Sequence, residues 1–253
     1  MGSVTPFRPR PPMPTRDACH GCGVFSWCLP ANLKPHEAEQ VERVTEHRRA
    51  IKRDGYLLRA GDTLTSLYMV HSGSVKTSIT DRHGREQVTG FSLPGELVGI
   101  EAIDSGKYPC NVIALEDSSC CGIVYADLDR LSRTIPALQQ HIHRAMSREI
   151  TRDYGLMLLL GSMRAEERVA HFMLSLSKRL AARGYSESQF RLCMSRRDIG
   201  SYLGLALETV SRIMSRLKSE QILDVMRKEV RVMSPSGLRN FVGAYEARAR
   251  AEK

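Results

Sequence analysis

No stretch of this chain is apolar for long. Runs such as Leu156 to Leu160 fall far short of the ~20 consecutive residues that a membrane-spanning helix needs. The start of the chain lacks the apolar segment of a secretory signal, so the chain is expected to be cytoplasmic, with no membrane partner. There is no internal repeat, and no biased segment beyond a proline-rich opening. Basic residues are unevenly spread. Residues 164–253 hold 18 lysines and arginines against 10 acids, whereas the preceding 163 residues hold 19 against 18. Most of the net charge of +9 therefore sits in the last third. A localised basic region is the electrostatic footprint of a polyanion partner, although solubility charge gives the same tally. With 253 residues, 42% of them hydrophobic, there is material for one large domain or two ordinary ones.

Seven cysteines are present, and in a reducing compartment they argue for metal or redox roles rather than disulfides. Cys19, Cys22 and Cys28 read C-x2-C-x5-C, which puts three soft thiolates within one loop's reach. A fourth would complete the set that tetrahedral zinc or an iron–sulfur cluster requires. Cys120 and Cys121 stand side by side in mid-chain, and strand alternation lets only one of them face that loop. Ile123 shares the parity of Cys121. His20, inside the loop, is a further potential ligand. Cys110 and Cys193 read as small buried residues. A thiol oxidoreductase built on Cys19-His20-Gly21-Cys22 lacks the βαβ context that gives such a motif redox meaning, and the chain is not expected to be an enzyme.

Four segments are expected. Residues 1–29 form an arm, rich in Pro6, Pro9, Pro11, Pro12 and Pro14, followed by the cysteine loop. Residues 30–134 hold a short helix over 37–48 and then alternating runs punctuated by Gly55, Gly61, Gly73, Gly84, Gly90, Gly95 and Gly99, an antiparallel β-roll. Helical periodicity covers 135–163, with Ile142, Met146, Ile150, Met157 and Leu160 on one stripe. A long helix between two domains needs something to pack on, and a second copy of itself is the expected partner. Asp153 lies on the same stripe. In a symmetric pair two such charges oppose each other; at the stripe's wet edge the acid is an ordinary surface group.

Residues 164–253 are helical and basic. Ser195 starts one helix as its cap, Gly204 breaks it, and a second helix runs over 207–218, the spacing of a helix-turn-helix. Leu207, Val210, Met214 and Leu217 form its inner stripe, while Glu208, Ser211 and Arg212 face away. Arginine can read guanine in bidentate fashion and glutamate can accept from cytosine N4, so double-stranded DNA is the expected partner. Alternatively, Glu208 and Arg212 are a plain i, i+4 ion pair. Thr209 and Arg216 are placed to reach phosphates. Residues 225–232 read as a β-wing.

Together these residues resemble the FNR-type (fumarate and nitrate reduction) regulators of the cyclic-AMP receptor/FNR superfamily. The resemblance rests on the C-x2-C-x5-C loop, Gly95-Glu96-Leu97-Val98-Gly99, Ala114-Leu115-Glu116, Ala165-Glu166-Glu167-Arg168, the run Asp198 to Leu205, and Glu208-Thr209-Val210-Ser211-Arg212. It covers the chain from Cys19 to about Val232. It implies an α+β chain: a cyclic-nucleotide-binding-like β-roll (a double-stranded jelly roll), a dimerisation helix and a winged helix-turn-helix. It implies a 4Fe–4S cluster on Cys19, Cys22, Cys28 and, by alignment, Cys121, converted to 2Fe–2S by oxygen. With the cluster the protein is expected to be a homodimer that binds palindromic TTGAT-type sites and contacts RNA polymerase, activating or repressing anaerobic genes; without it, a monomer. Asp153 matches an acid that keeps the cluster-free form apart. The arginine–serine pair that binds cyclic nucleotide in the superfamily is missing: the chain reads Lys107-Tyr108-Pro109-Cys110 after Gly106, so no cyclic nucleotide is expected. Ala206 stands where a hydroxyl usually caps the second helix, and Arg85 where a polymerase-contacting loop usually has an acid.

Overall fold

The structure, a computed structural model, describes residues 19, 22–46 and 48–242. The proline-rich arm and His20 lie outside these residues. The described chain falls into two compact units whose sequence boundary, between Arg152 and Asp153, lies inside one long helix.

In the first unit, a 3₁₀ turn at Phe25–Trp27 leads to α1 (Pro35–Arg43) and eight strands. These are β1 (Arg49–Ile51), β2 (Tyr56–Leu58), β3 (Ser66–Ser72), β4 (Val75–Thr80), β5 (Glu86–Ser92), β6 (Leu97–Val98), β7 (Asn111–Ala114) and β8 (Ser118–Val124). They form two four-stranded antiparallel sheets, in orders β1-β8-β3-β6 and β2-β7-β4-β5. Alternation along each strand decides which core a side chain joins. Tyr68, Val70 and Cys120 enter the roll interior with Val75, Val98 and Val112 from the other strands. Leu67, Met69 and Ile123 face the opposite way, onto Val41 of α1, Leu128 of α2 (Tyr125–Thr134) and Leu138 of α3 (Pro136–Ser162). The helix expected over 37–48 begins and ends earlier. Pro35 supplies a preset first turn and Glu37 accepts the Lys34 N–H at 2.9 Å. Beyond Val44, pairing with β8 wins: Thr45 bridges Ile123 and the Glu46 N–H donates to the Gly122 carbonyl at 2.7 Å.

The second unit holds α4 (Ala165–Ala181), β9 (Gln189–Arg191), α5 (Arg196–Leu203), α6 (Leu207–Ser219), β10 (Leu223–Met226) and β11 (Glu229–Val232). Residues 235–242 are again helical. The wing is a three-stranded sheet, β10-β11-β9. Its third strand, β9, is three residues long, too short for alternation to reveal; Phe190 at its centre is fully buried. On α6 the inner stripe is Val210, Ile213, Met214 and Leu217, whereas Leu207 is 39% exposed. Leu207 is the first helical residue, before the helix has turned onto its neighbours. Among the described residues no helix is long and apolar enough to cross a membrane.

The turn between α5 and α6 depends on two glycines. Gly204 caps α5 at φ 62°, ψ 39°, the left-handed region that glycine occupies without cost. A Cβ at Gly200 would stand 2.6 Å from the Leu205 carbonyl oxygen. Backbone cannot give way there as a side chain could. Gly200→Ala should therefore cost about 1–3 kcal/mol, read as a lower Tm with weaker DNA binding. Gly155→Ala, where a Cβ would meet nothing within 4 Å, should raise Tm slightly through helix propensity.

Candidate functional site

Cys19, Cys22, Cys28 and Cys121 are each partly exposed, while Cys110, Cys120 and Cys193 are buried. The cysteine loop is a chain of tight turns, with the N–H of Cys22 donating to the Cys19 carbonyl at 3.1 Å and that of Cys28 to the Phe25 carbonyl at 3.1 Å. It is tied to α1 by the Cys19 N–H, which donates to Glu42 Oε1 at 3.2 Å. Cys28 and Cys121 flank the same outer core. Cys120 instead points into the roll interior and is fully buried. Cys28 is pushed up to about 12 by burial, then by Cys121, Cys19 and Cys22. Cys19 rises to about 11 through burial, then Glu42, Cys121 and Cys22. Burial also raises Cys121, but the Arg48 charge and a hydrogen bond from Arg48 oppose it. Strand pairing explains that contact: Arg49 pairs with Cys120 and Ala50 with Ser119, so Arg48 comes opposite Cys121. Among the described residues no three metal-ligating side chains stand close enough to hold one ion.

Along α3 the anticipated stripe divides. Ile142 and Met146 lean on the core that carries Leu29, Cys28 and Cys121. Ile150 and Met157 are more than half exposed, and so are Tyr154 and Leu158, which sequence spacing did not single out. Asp153 is exposed beside them. Leu160 packs near Gly204, where an added Cβ would meet its Cδ2 at 3.4 Å.

In the second unit, Ser195 caps α5: its hydroxyl accepts the Asp198 N–H at 3.1 Å, and Asp198 Oδ2 accepts the Ser195 N–H at 2.9 Å. Ala206 offers α6 no side-chain cap. Glu208 and Arg212 are exposed on the first turns of α6. They do not pair with each other; Arg212 instead lies 3.5 Å from the Thr209 hydroxyl. Ser211 accepts from Arg196 Nη1 at 3.2 Å. Arg216 is engaged by Glu166 at 2.5 Å and Glu220 at 2.7 Å, and it lies over the Phe241 ring. Arg168 is the tie that sequence reasoning missed. It donates to the carbonyls of Leu160 at 2.7 Å, Met163 at 2.9 Å and Leu203 at 3.1 Å. One guanidinium thus satisfies carbonyls at the ends of α3 and α5. Its place in Ala165-Glu166-Glu167-Arg168 was the only sequence signal.

Comparison with known proteins agrees with this architecture. Residues 48–134 match the cyclic nucleotide-binding domain family, and residues 167–241 the Crp-like helix-turn-helix domain. The chain is 42% identical over 225 residues to the fumarate and nitrate reduction regulatory protein of Escherichia coli, covering 89% of this chain and 90% of that one. It is 44% identical over 226 residues to the transcriptional activator FnrA of Stutzerimonas stutzeri, covering 89% and 92%. The solved structure of FixK2 from Bradyrhizobium japonicum superposes with a TM-score of 0.71 at 30% identity, covering 77% of this chain and 96% of that one. With the fold, the helix-turn-helix and these likenesses in agreement, the chain belongs to the FNR-type transcriptional regulators of the cyclic-AMP receptor/FNR family.

Proposed function

We propose that this regulator senses oxygen through a 4Fe–4S cluster held by Cys19, Cys22, Cys28 and Cys121, and that the cluster governs its dimerisation and DNA binding. The observation that carries this reading is placement: Cys28 of the loop and Cys121 of β8 border one core, and Cys19, Cys22, Cys28 and Cys121 are partly exposed while the other three cysteines are buried. The donor set fits the group: four soft, shielded sulfurs, with Arg48 beside Cys121 as a counter-charge. When bound, the cluster supplies an oxygen-labile cross-link between loop and roll. The chain's own residues do the rest. Leu29, Ile142 and Met146 share one core with Cys28 and Cys121, so fixing the loop restrains α3. The exposed residues Ile150, Tyr154, Met157 and Leu158 supply a face for the same face of a second copy. Asp153 beside them sets a repulsion that the restrained helix has to tolerate, which shifts the equilibrium without blocking it.

Cyclic nucleotide is not the proposed ligand. Tyr108 fills the roll interior and its hydroxyl donates to the Ser66 carbonyl at 2.7 Å. A polymerase contact through the β4–β5 turn would also differ from the family's usual one. There Arg85 pairs with Asp81 at 2.7 Å, leaving the turn without a free acid on either residue.

The test is anaerobic purification followed by absorbance, iron and sulfide analysis, and sedimentation before and after air. The expected result is a brown dimer with about four iron and four sulfide per chain that bleaches to monomer in air. Colourless anaerobic protein with one zinc per chain would replace the sensor by a structural staple.

A further inference from the structure

Helix α3 packs beside the cysteine loop through Ile142 and Met146, which join the core that holds Cys28 and Leu29. A tie to the roll lies further along the helix. Arg152 holds Glu149 Oε2 at 2.7 Å on its own helix and reaches back 3.4 Å to Glu96 Oε1 on the roll. The Arg152 and Glu96 side chains are only 24% and 14% exposed, a setting in which losing one partner is far costlier than at the surface. Glu96 is itself held, since its Oε2 accepts the Leu93 N–H at 3.1 Å across the turn. The middle of that turn is Gly95, at φ +84°, and a Cβ there would stand 2.6 Å from the Cβ of Trp27. Trp27 immediately precedes Cys28. A line of neighbours therefore runs from Trp27, the residue before Cys28, through Gly95 and Glu96 to Arg152, the residue before Asp153.

We propose that Glu96 and Arg152 form a latch that carries the position of the cysteine loop to α3, making them positioning residues for the dimer switch; the inference rests on the thiol site being the sensor. When the loop is fixed, Trp27 is pressed onto Gly95, the Leu93–Glu96 turn holds its carboxylate in place, and Arg152 sets the rotation of α3 about its axis. That rotation decides how Ile150, Asp153, Tyr154 and Met157 are presented to a second copy. When the loop is free, Gly95 loses its cover, the turn relaxes and the ion pair loosens. Packing of Ile142 and Met146 alone would hold the helix's first half but not its rotation at Asp153.

The experiment measures the dimer dissociation constant by sedimentation for cluster-loaded and cluster-free protein, and takes their ratio as the coupling. Glu96→Gln, Arg152→Gln and the double variant are compared, with iron per chain as a separate readout. Each single variant should lower the ratio about tenfold, within the usual range of such couplings. The double should lower it no further, because the two residues act as one unit. Iron content should stay at the wild-type level. Arg152→Lys, which keeps the charge, should retain most of the ratio and guards against loss of fold in the others. Ratios within twofold of wild type, or effects that add in the double variant, overturn the latch alone. A wild-type ratio of one overturns the sensor reading and the latch with it.

Discussion

Cys121→Ala should abolish iron and sulfide incorporation, while Cys120→Ser should leave the stoichiometry unchanged and lower stability instead. The two neighbours differ only by strand parity. Cys121 borders the outer core together with Cys28 of the loop. Cys120 is fully buried in the roll interior and raised to about 12 by that burial. On the proposed reading, removing Cys121 leaves three ligands on a loop with nothing on the roll to close against, and cluster binding requires that loop to be fixed. Placing a hydroxyl at 120 buries a polar group among Val70, Val75 and Val112, at about 1–3 kcal/mol. Iron and sulfide assays on anaerobically purified variants, with melting curves beside them, separate the two effects. Cys121→Ala retaining full iron, or Cys120→Ser losing it, would reverse the assignment.

Arg212→Ala should weaken binding to the specific duplex by about 1–3 kcal/mol and relax preference at one base pair, with random duplex almost unaffected. Among the described residues its guanidinium has no carboxylate to hold it: its contact is a 3.5 Å approach to the Thr209 hydroxyl. The side chain is thus free to offer its fork to a base edge. Arg216 on the same helix is committed to Glu166 and Glu220, and its charge is already offset. The salt dependence of binding discriminates between them. A residue that contacts phosphate contributes about one counterion to the slope. Equal losses for Arg212→Ala on specific and random duplex would make it a phosphate contact and end the base-reading assignment.

The legible parts share a physical basis. The helix-turn-helix could be read because its signals are local: Ser195 as a helix cap, Gly204 as a breaker, and helical spacing from Val210 to Leu217. The roll could be read from alternation and from glycines at strand ends. The helix over 35–43 was harder to place because its end is set by pairing of Thr45 and Arg49 with β8, partners some 70 residues distant. Leu207 looked internal by period, but period ignores helix ends.

Composition and local pattern alone determined the order of the parts: a cysteine loop, an antiparallel roll, a long helix and a basic reader. They also marked Cys19, Cys22 and Cys28 as candidate ligands, because ligand spacing is a property of a short segment; the fourth, Cys121, is what the family resemblance implies. What only tertiary structure decided is which groups meet. Arg48 stands beside Cys121, Trp27 covers Gly95, Arg152 reaches Glu96, and Arg168 gathers three carbonyls. The stripe on α3 likewise divides into a half that packs inward and a half left exposed. Such pairings depend on packing between elements far apart in sequence, and a one-dimensional period carries a residue's facing but not its neighbour.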